Sequence, residues 1–146
     1  MSPEWLAFGS VEIAEALEFV RANHHAVLAT TRADGGVQMS PVAAATDADG
    51  RIVVSSRETA MKTRNLRQRP GAWLCVFEDS FYGRWIQAEG QVQVVSLPEA
   101  MDGLVEYYRS VSGEHPDWPD YRRAMESERR VLLRMKVDRA GPNKAG

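Results

Sequence analysis

Apolar and polar residues alternate in short runs along most of the chain, a pattern typical of half-buried β-strands. Hairpin turns separate the early runs, at Asp34-Gly35-Gly36 and at Asp49-Gly50. In residues 85–94 every second position is apolar or glycine, and Gly90 is a natural place for a β-bulge. Six runs are therefore predicted as strands: 26–32, 37–46, 51–56, 72–79, 85–94 and 130–137.

Apolar residues at helical spacing follow four capping signals and predict four helices. Ser10 is predicted to cap a helix to about Asn23, and a helix after Ser96-Leu97-Pro98-Glu99, a capping box, ends at Gly113. Shorter helices are predicted after Thr59 and after Asp117. The order of these elements predicts an α+β fold, a six-stranded antiparallel β-barrel with peripheral helices.

The chain of 146 residues is expected to form a single domain, with a core over about 10–137. Residues 138–146 lack a core-forming pattern and are expected to be a loose tail. Cys75, the lone cysteine, excludes an internal disulfide and is expected in the core; no metal site is predicted. No apolar run is long enough for a membrane span, and the first residues do not resemble a signal peptide, so a cytoplasmic location is expected.

Positive charge is concentrated in residues 57–70, which hold five of the 18 lysines and arginines and one acid, Glu58. The net charge is -2, so the other residues sum to about -6, from 13 bases and 19 acids. Lys62 and Arg64 fall at a predicted helix start, where the helix dipole favours negative charge. A bound phosphate would explain this placement, and a solvated basic face is the alternative. The patch is too short to favour nucleic acid.

The stretches ATTRADGGVQMSPV, RIVVSS, KTRNLRQRP and AEG follow one another in the order found in a known superfamily. Together they resemble the FMN/F420-binding split-barrel superfamily, which is related to pyridoxamine 5′-phosphate oxidase. The additional stretches YRSVSGEHPDWPDYRRAM and RRVLLRMKV resemble its actinobacterial branch, which uses the deazaflavin coenzyme F420. The resemblance spans roughly residues 15 to 137 and implies a homodimer with cofactor grooves between the protomers.

The resemblance also implies which residues contact the cofactor. Lys62 and Arg64 would bind its phosphate, and Arg57 and Arg67 are weaker candidates for its carboxylate tail. Trp85 would either line the groove or pack in the dimer. The full set of implied cofactor-binding residues is Gln38, Ser40, Pro41, Val42, Ser55, Ser56, Met61, Lys62, Thr63, Arg64, Asn65 and Trp85.

The function implied is hydride transfer between F420 and a small conjugated acceptor of quinone, tetrapyrrole or nitro type. The cofactor carries such chemistry, and no side chain stands out as a catalytic acid or base. FMN also carries a phosphate, so an FMN-binding pyridoxamine phosphate oxidase-like enzyme is the nearest alternative. A carrier that binds F420 without turnover is another, and a haem-binding split barrel is a more distant one.

Overall fold

The fold is that of a computed structural model, which describes the backbone of residues 10–145 and the side chains of residues 10–142. It has four helices: α1 (Ile13–Ala22), α2 (Met61–Gln68), α3 (Met101–Ser112) and α4 (Trp118–Ser127). It has seven strands: β1 (His25–Thr31), β2 (Val37–Ala43), β3 (Ala45–Thr46), β4 (Ile52–Arg57), β5 (Gly71–Phe77), β6 (Arg84–Val95) and β7 (Arg130–Ala145). The predicted α+β class is confirmed.

The seven strands form one antiparallel sheet in the order β2-β1-β5-β6-β7-β4-β3. Strands β2 and β3 occupy opposite edges, yet only Ala44 separates them in the chain. The sheet must therefore curl until its two edges approach each other, which produces a half-barrel. The predicted number of six strands is wrong because the run 37–46 breaks at Ala44, whose N–H donates to the His24 carbonyl.

The concave side of the sheet encloses the main hydrophobic core. Alternate residues of β1, β5, β6 and β7 point inward and are buried, as their period of two predicts. Helix α1 inserts Ala16, Phe19 and Val20 into this core, and α2 contributes Leu66. The two helices thus fill the open half-barrel, and α2 is held at the rim where the site described below is located.

A second apolar cluster covers part of the convex side. Helices α3 and α4 pack Leu104, Val105 and Tyr121 against Val53 and Leu132, so β4 and β7 are buried on both faces. Because strands β2, β1, β5 and β6 pair side by side, their convex residues form one continuous surface. Of its apolar side chains within residues 10–142, Val95 at the end of β6 packs against the α3–α4 cluster, and no other belongs to either hydrophobic cluster.

Cys75 lies half-buried on this convex surface and not in the core as expected. The reason is strand parity: the inward positions of β5 are Ala72, Leu74 and Val76, and Cys75 falls between them. Burial raises the pKa of its thiol. The residue therefore packs on the uncovered face, beside Val27 of the paired strand.

Two of the helix boundaries predicted from capping residues are confirmed, and three predicted helix starts are not. Gly113 ends α3 with a positive φ of 82°, and the Asp117 side chain accepts from the Asp120 N–H at the start of α4. Helix α1 begins at Ile13 without a cap from Ser10, and α2 begins at Met61 with Ala60 and not Thr59 at the N-cap position. Helix α3 begins at Met101, past its predicted capping box.

Residues 138–145 were expected to be loose and instead continue strand β7. Their backbone pairs with Arg84–Glu89 of β6. Pairing of this kind needs free backbone groups on the neighbouring strand and not an apolar pattern, which is why the composition of the segment did not reveal it. Among the described residues, no helix is long and apolar enough to cross a membrane.

Candidate functional site

The start of α2 and the middle of β2 come together at the rim of the half-barrel. The ammonium nitrogen of Lys62 lies 3.3 Å from Ser40 Oγ, a hydrogen bond between residues 22 positions apart in the chain. Both side chains are half-buried. Two of the predicted cofactor-binding residues are thus direct neighbours.

Lys62 is a partly desolvated cation without a matching anion. Burial lowers its pKa, and the positive charge of Arg130 lowers that pKa further. No carboxylate in the described part of the chain forms an ion pair with Lys62, whose only side-chain partner there is the neutral Ser40 hydroxyl. A half-buried lysine beside another cation is electrostatically unfavourable, and a bound anion would relieve this cost.

The N-terminus of α2 adds further positive potential at this point. Its N-cap residue, Ala60, has no side chain that can cap, and its first turn contains no acid. The first N–H groups of the helix therefore lack a side-chain acceptor. Arg64 is exposed one turn along and forms no ion pair with residues 10–142. Free donors, two unpaired cations and a helix dipole all favour an anion here.

The other three bases of the 57–70 segment are already engaged. Arg57 forms an ion pair with Glu128 at 3.0 Å, and Arg67 forms one with Glu58 at 2.8 Å. Arg69 donates to the Thr31 carbonyl at 2.9 Å. The five bases, which looked alike in the sequence, therefore fall into two groups. Three are already bonded within the protein, and two, Lys62 and Arg64, have no ion pair with residues 10–142.

Ser56, Thr63 and Asn65 are predicted site residues whose side chains are buried. The Thr63 hydroxyl donates to the Arg57 carbonyl at 2.6 Å and is hydrogen-bonded to Ser56 Oγ at 2.9 Å. Asn65 Nδ2 donates to Thr30 Oγ1 at 3.1 Å. These contacts fix α2 against β4 and β1, so the three residues position Lys62 and Arg64, and a direct contact with a cofactor stays a prediction.

The four candidates on β2 divide between the two faces of the strand. Gln38, Ser40 and Val42 alternate with exposed residues and lie on the half-buried concave face. Gln38 accepts from the Thr30 hydroxyl at 3.3 Å, which links it to the Asn65 network. Pro41 lies on the opposite, exposed face, so it does not share a face with Ser40.

Three predicted cofactor-binding residues remain: Met61, Ser55 and Trp85. Met61 is next to Lys62 at the first helical position and is 52% exposed, so its side chain is available to a ligand. Ser55 is half-buried near the end of β4. Trp85 lies on the convex surface of β6, opposite to the core face on which α2 packs, so within one chain the sheet separates it from Lys62.

Arg130 and Glu128 belong to this region but were not predicted from the sequence. Arg130 opposes Arg57 across the β4–β7 pair, and Glu128 bridges both guanidinium groups. Those two arginines hold the pKa of the Glu128 carboxyl below its usual value. Seventy-one residues separate Arg57 from Glu128, and no local pattern indicates that these two strands pair.

A family model described as pyridoxamine 5′-phosphate oxidase matches residues 13–143 of the chain. Among solved structures, a conserved hypothetical protein of Mycobacterium tuberculosis is 25% identical with a TM-score of 0.72, over 89% of this chain and 82% of that one. An F420 reductase is 18% identical with a TM-score of 0.66, over 85% and 94% of the two chains. The heme storage protein HutZ of Vibrio cholerae is 16% identical with a TM-score of 0.69, over 91% and 95%.

Proposed function

Because the chain belongs to the pyridoxamine 5′-phosphate oxidase family, as its sequence resemblance predicted, we propose that Lys62 and Arg64 bind the phosphate of a flavin-type cofactor. We propose further that this cofactor is coenzyme F420 and that the protein is an F420-dependent oxidoreductase. The observation that carries the proposal is the half-buried, unpaired Lys62 at an uncapped helix start.

The residues present fit one phosphate group better than a long polyanionic tail. Lys62, Arg64 and the free N–H groups of α2 can surround a single phosphodiester with charge-assisted hydrogen bonds. Arg57 and Arg67, the predicted partners of the carboxylate tail, are neutralised by Glu128 and Glu58. We therefore expect the phosphate to contribute more to binding than the tail.

When bound, the deazaflavin would supply hydride transfer to or from a small conjugated acceptor of quinone, tetrapyrrole or nitro type. The contribution of this chain is then to bind and orient. Lys62 and Arg64 would fix the phosphate end, and Ser40 would hold the Lys62 ammonium in place. No side chain is assigned as a proton donor.

We propose that the active form is a homodimer. The convex face of β2, β1 and β5 carries exposed apolar side chains, among them Met39 at 66%, Val37 at 50% and Trp73 at 37% exposure. Met39 and Trp73 both oppose Ala29 across β1, so they form one row of this surface. A contiguous apolar face of this kind is typical of an interface, and a second copy would cover it symmetrically.

The cofactor is tested by fluorescence titration of F420 against the purified protein, with FMN titrated under the same conditions. Micromolar or tighter binding of F420 and little of FMN is the expected result. Preference for FMN would retain the phosphate site and replace the proposed enzyme with a pyridoxamine phosphate oxidase-like one. Binding of neither cofactor would contradict the proposal.

A carrier that binds F420 without turnover is a second alternative. It is separated from an enzyme by following the oxidation of reduced F420 with quinone, tetrapyrrole and nitro acceptors. Turnover that depends on the protein supports the enzyme, and tight binding with no turnover for any acceptor class supports the carrier.

A further inference from the structure

A second concave site lies on the opposite side of β4 from α2. Helix α3 and the turn between β3 and β4 line, with β7, an open cavity of about 440 Å³, which we call the α3 cavity. This volume is within the range of small-molecule pockets. Val53, Ala100 and Leu132 form an apolar floor and are each 4% exposed or less.

The wall of the α3 cavity includes an aromatic ring that is held in place. The Tyr107 hydroxyl donates to the Ala43 carbonyl at 2.8 Å, so its ring is fixed where it lines the cavity. Burial raises the pKa of this phenol, which stays neutral at physiological pH. A fixed aromatic face beside an apolar floor can hold a flat or branched organic group, and it attracts cations.

The rim of the α3 cavity is strongly acidic. Five carboxylates line it, against one guanidinium, that of Arg134. Arg134 is paired with Asp47 at 3.0 Å and with Asp49 at 3.1 Å. The rim acids are Asp47, Asp49, Glu99, Asp102 and Glu106.

Two of these acids are not part of any ion pair among residues 10–142. Glu106 is paired with Arg109, whereas Glu99 and Asp102 form no ion pair with any of residues 10–142. Asp102 is in the first turn of α3, where the helix dipole stabilises an acid. That local effect does not account for the remaining negative charge around an apolar cavity.

We propose that the α3 cavity binds an amphipathic organic cation, a separate ligand from the proposed cofactor. Its apolar body would pack on Val53, Leu132 and the Tyr107 ring, and its ammonium group would lie at Glu99 and Asp102. An anionic ligand is disfavoured by the rim charge, and a wholly polar cation would leave the floor unused.

The test uses tryptamine as the probe, with its neutral alcohol analogue tryptophol as the matched ligand, in calorimetry and amide chemical-shift titrations. A probe of this size is expected to bind with a Kd on the order of 1 mM. Tryptamine should shift the amides of Gly103 and Tyr107, and tryptophol should bind at least about 10-fold more weakly because it lacks the charge. Equal binding of the two probes, or shifts confined to other regions, would overturn the proposal.

Substitutions of the rim acids test where the ammonium group of tryptamine lies. The double variant Glu99→Gln/Asp102→Asn should weaken tryptamine binding by about 10-fold or more, and Glu126→Gln, an exposed acid of α4, should not change it. Both sets of changes are on the surface, and the amide spectrum reports whether the fold is retained. Unchanged tryptamine affinity in the double variant contradicts the site. F420 titration of the same variants, expected to match wild type, keeps this outcome separate from the cofactor proposal.

Discussion

Gly90 of β6 lies directly against the backbone of β7. A Cβ atom built on Gly90 would lie 1.9 Å from the Lys136 carbonyl oxygen, which is backbone and cannot rotate away. The register of the β6–β7 pair shifts between Glu89 and Gly90, as expected at a β-bulge. A glycine is therefore required at this position for steric reasons.

We predict that Gly90→Ala lowers the free energy of unfolding by about 3 kcal/mol or more, since the strands must separate to admit the methyl group. Urea unfolding followed by circular dichroism measures the effect. Gly71→Ala is the matched control in a neighbouring strand, because its Cβ would meet only Gln91 Nε2 at 3.7 Å. Similar losses in the two variants would contradict the steric account.

Single residues also show how far the sequence could reveal the site. Lys62 and Arg64 were identifiable because a positive charge at a helix start is locally unfavourable. The sequence did not show that Arg57 and Arg67, unlike Lys62 and Arg64, are paired with acids. Arg57 pairs with Glu128, and Arg67 pairs with Glu58 beside Ser96, and both pairs depend on the tertiary fold. The inward orientation of Asn65 also depends on β1, 35 residues away in the chain, whereas that of Thr63 depends on the preceding strand, β4.

At the scale of elements, two acids form ion pairs next to α2: Glu58 with Arg67 of α2, and Glu128 with Arg57 of β4 and Arg130 of β7. The Ser96 hydroxyl and then Arg67 lower the pKa of the Glu58 carboxyl. Arg57 and then Arg130 lower that of Glu128. Both carboxyls are thus more acidic in the folded protein than the usual value of 4.5, so each favours folding when ionised.

This pKa shift sets a pH dependence with a definite sign. The stability that Glu58 and Glu128 provide is fully present above their unfolded pKa of 4.5 and is lost as pH falls through their lower folded values. We predict that Glu58→Gln/Glu128→Gln is less stable than wild type near about pH 6 and that the difference narrows as pH falls below 4.5. The gap should be small, since both side chains are partly exposed.

Urea unfolding midpoints across this pH range measure the difference. Glu126→Gln serves as the control, because Glu126 is exposed and forms no side-chain ion pair with residues 10–142. A constant gap between the double variant and wild type at every pH would mean that the carboxyl charges do not stabilise the fold.

The sequence predicted helices and strands well where the period of apolar residues determines them. It predicted them poorly where pairing between distant strands determines their bounds. The alternation in 85–94 and 130–137 gave the correct inward faces of β6 and β7. The break at Ala44 was invisible, because the run 37–46 keeps one pattern while its two halves form the opposite edges of the sheet, where β2 pairs with β1 and β3 pairs with β4. The extension of β7 to Ala145 likewise depends on the free edge offered by β6.

At the scale of the whole molecule, the uncovered convex face predicts self-association. We expect the wild-type protein to sediment as a dimer at micromolar concentration. Met39→Glu should give a monomer, because a carboxylate in the centre of an apolar interface is not solvated. Ser127→Glu, at an exposed position of α4, should remain dimeric. A wild-type monomer, or a dimer unaffected by Met39→Glu, would exclude this face as the interface.

The most direct test of the anion site compares two bases of the same segment that differ in pairing. F420 is titrated by fluorescence against wild type, Lys62→Ala and Arg57→Ala. Lys62→Ala should lose about 2 kcal/mol of binding free energy, roughly 30-fold in Kd, as one charge-assisted contact is removed. Arg57→Ala should change affinity by less than about 3-fold, because Glu128 already neutralises that guanidinium. Equal losses in the two variants, or none for Lys62→Ala, would contradict a phosphate site at Lys62.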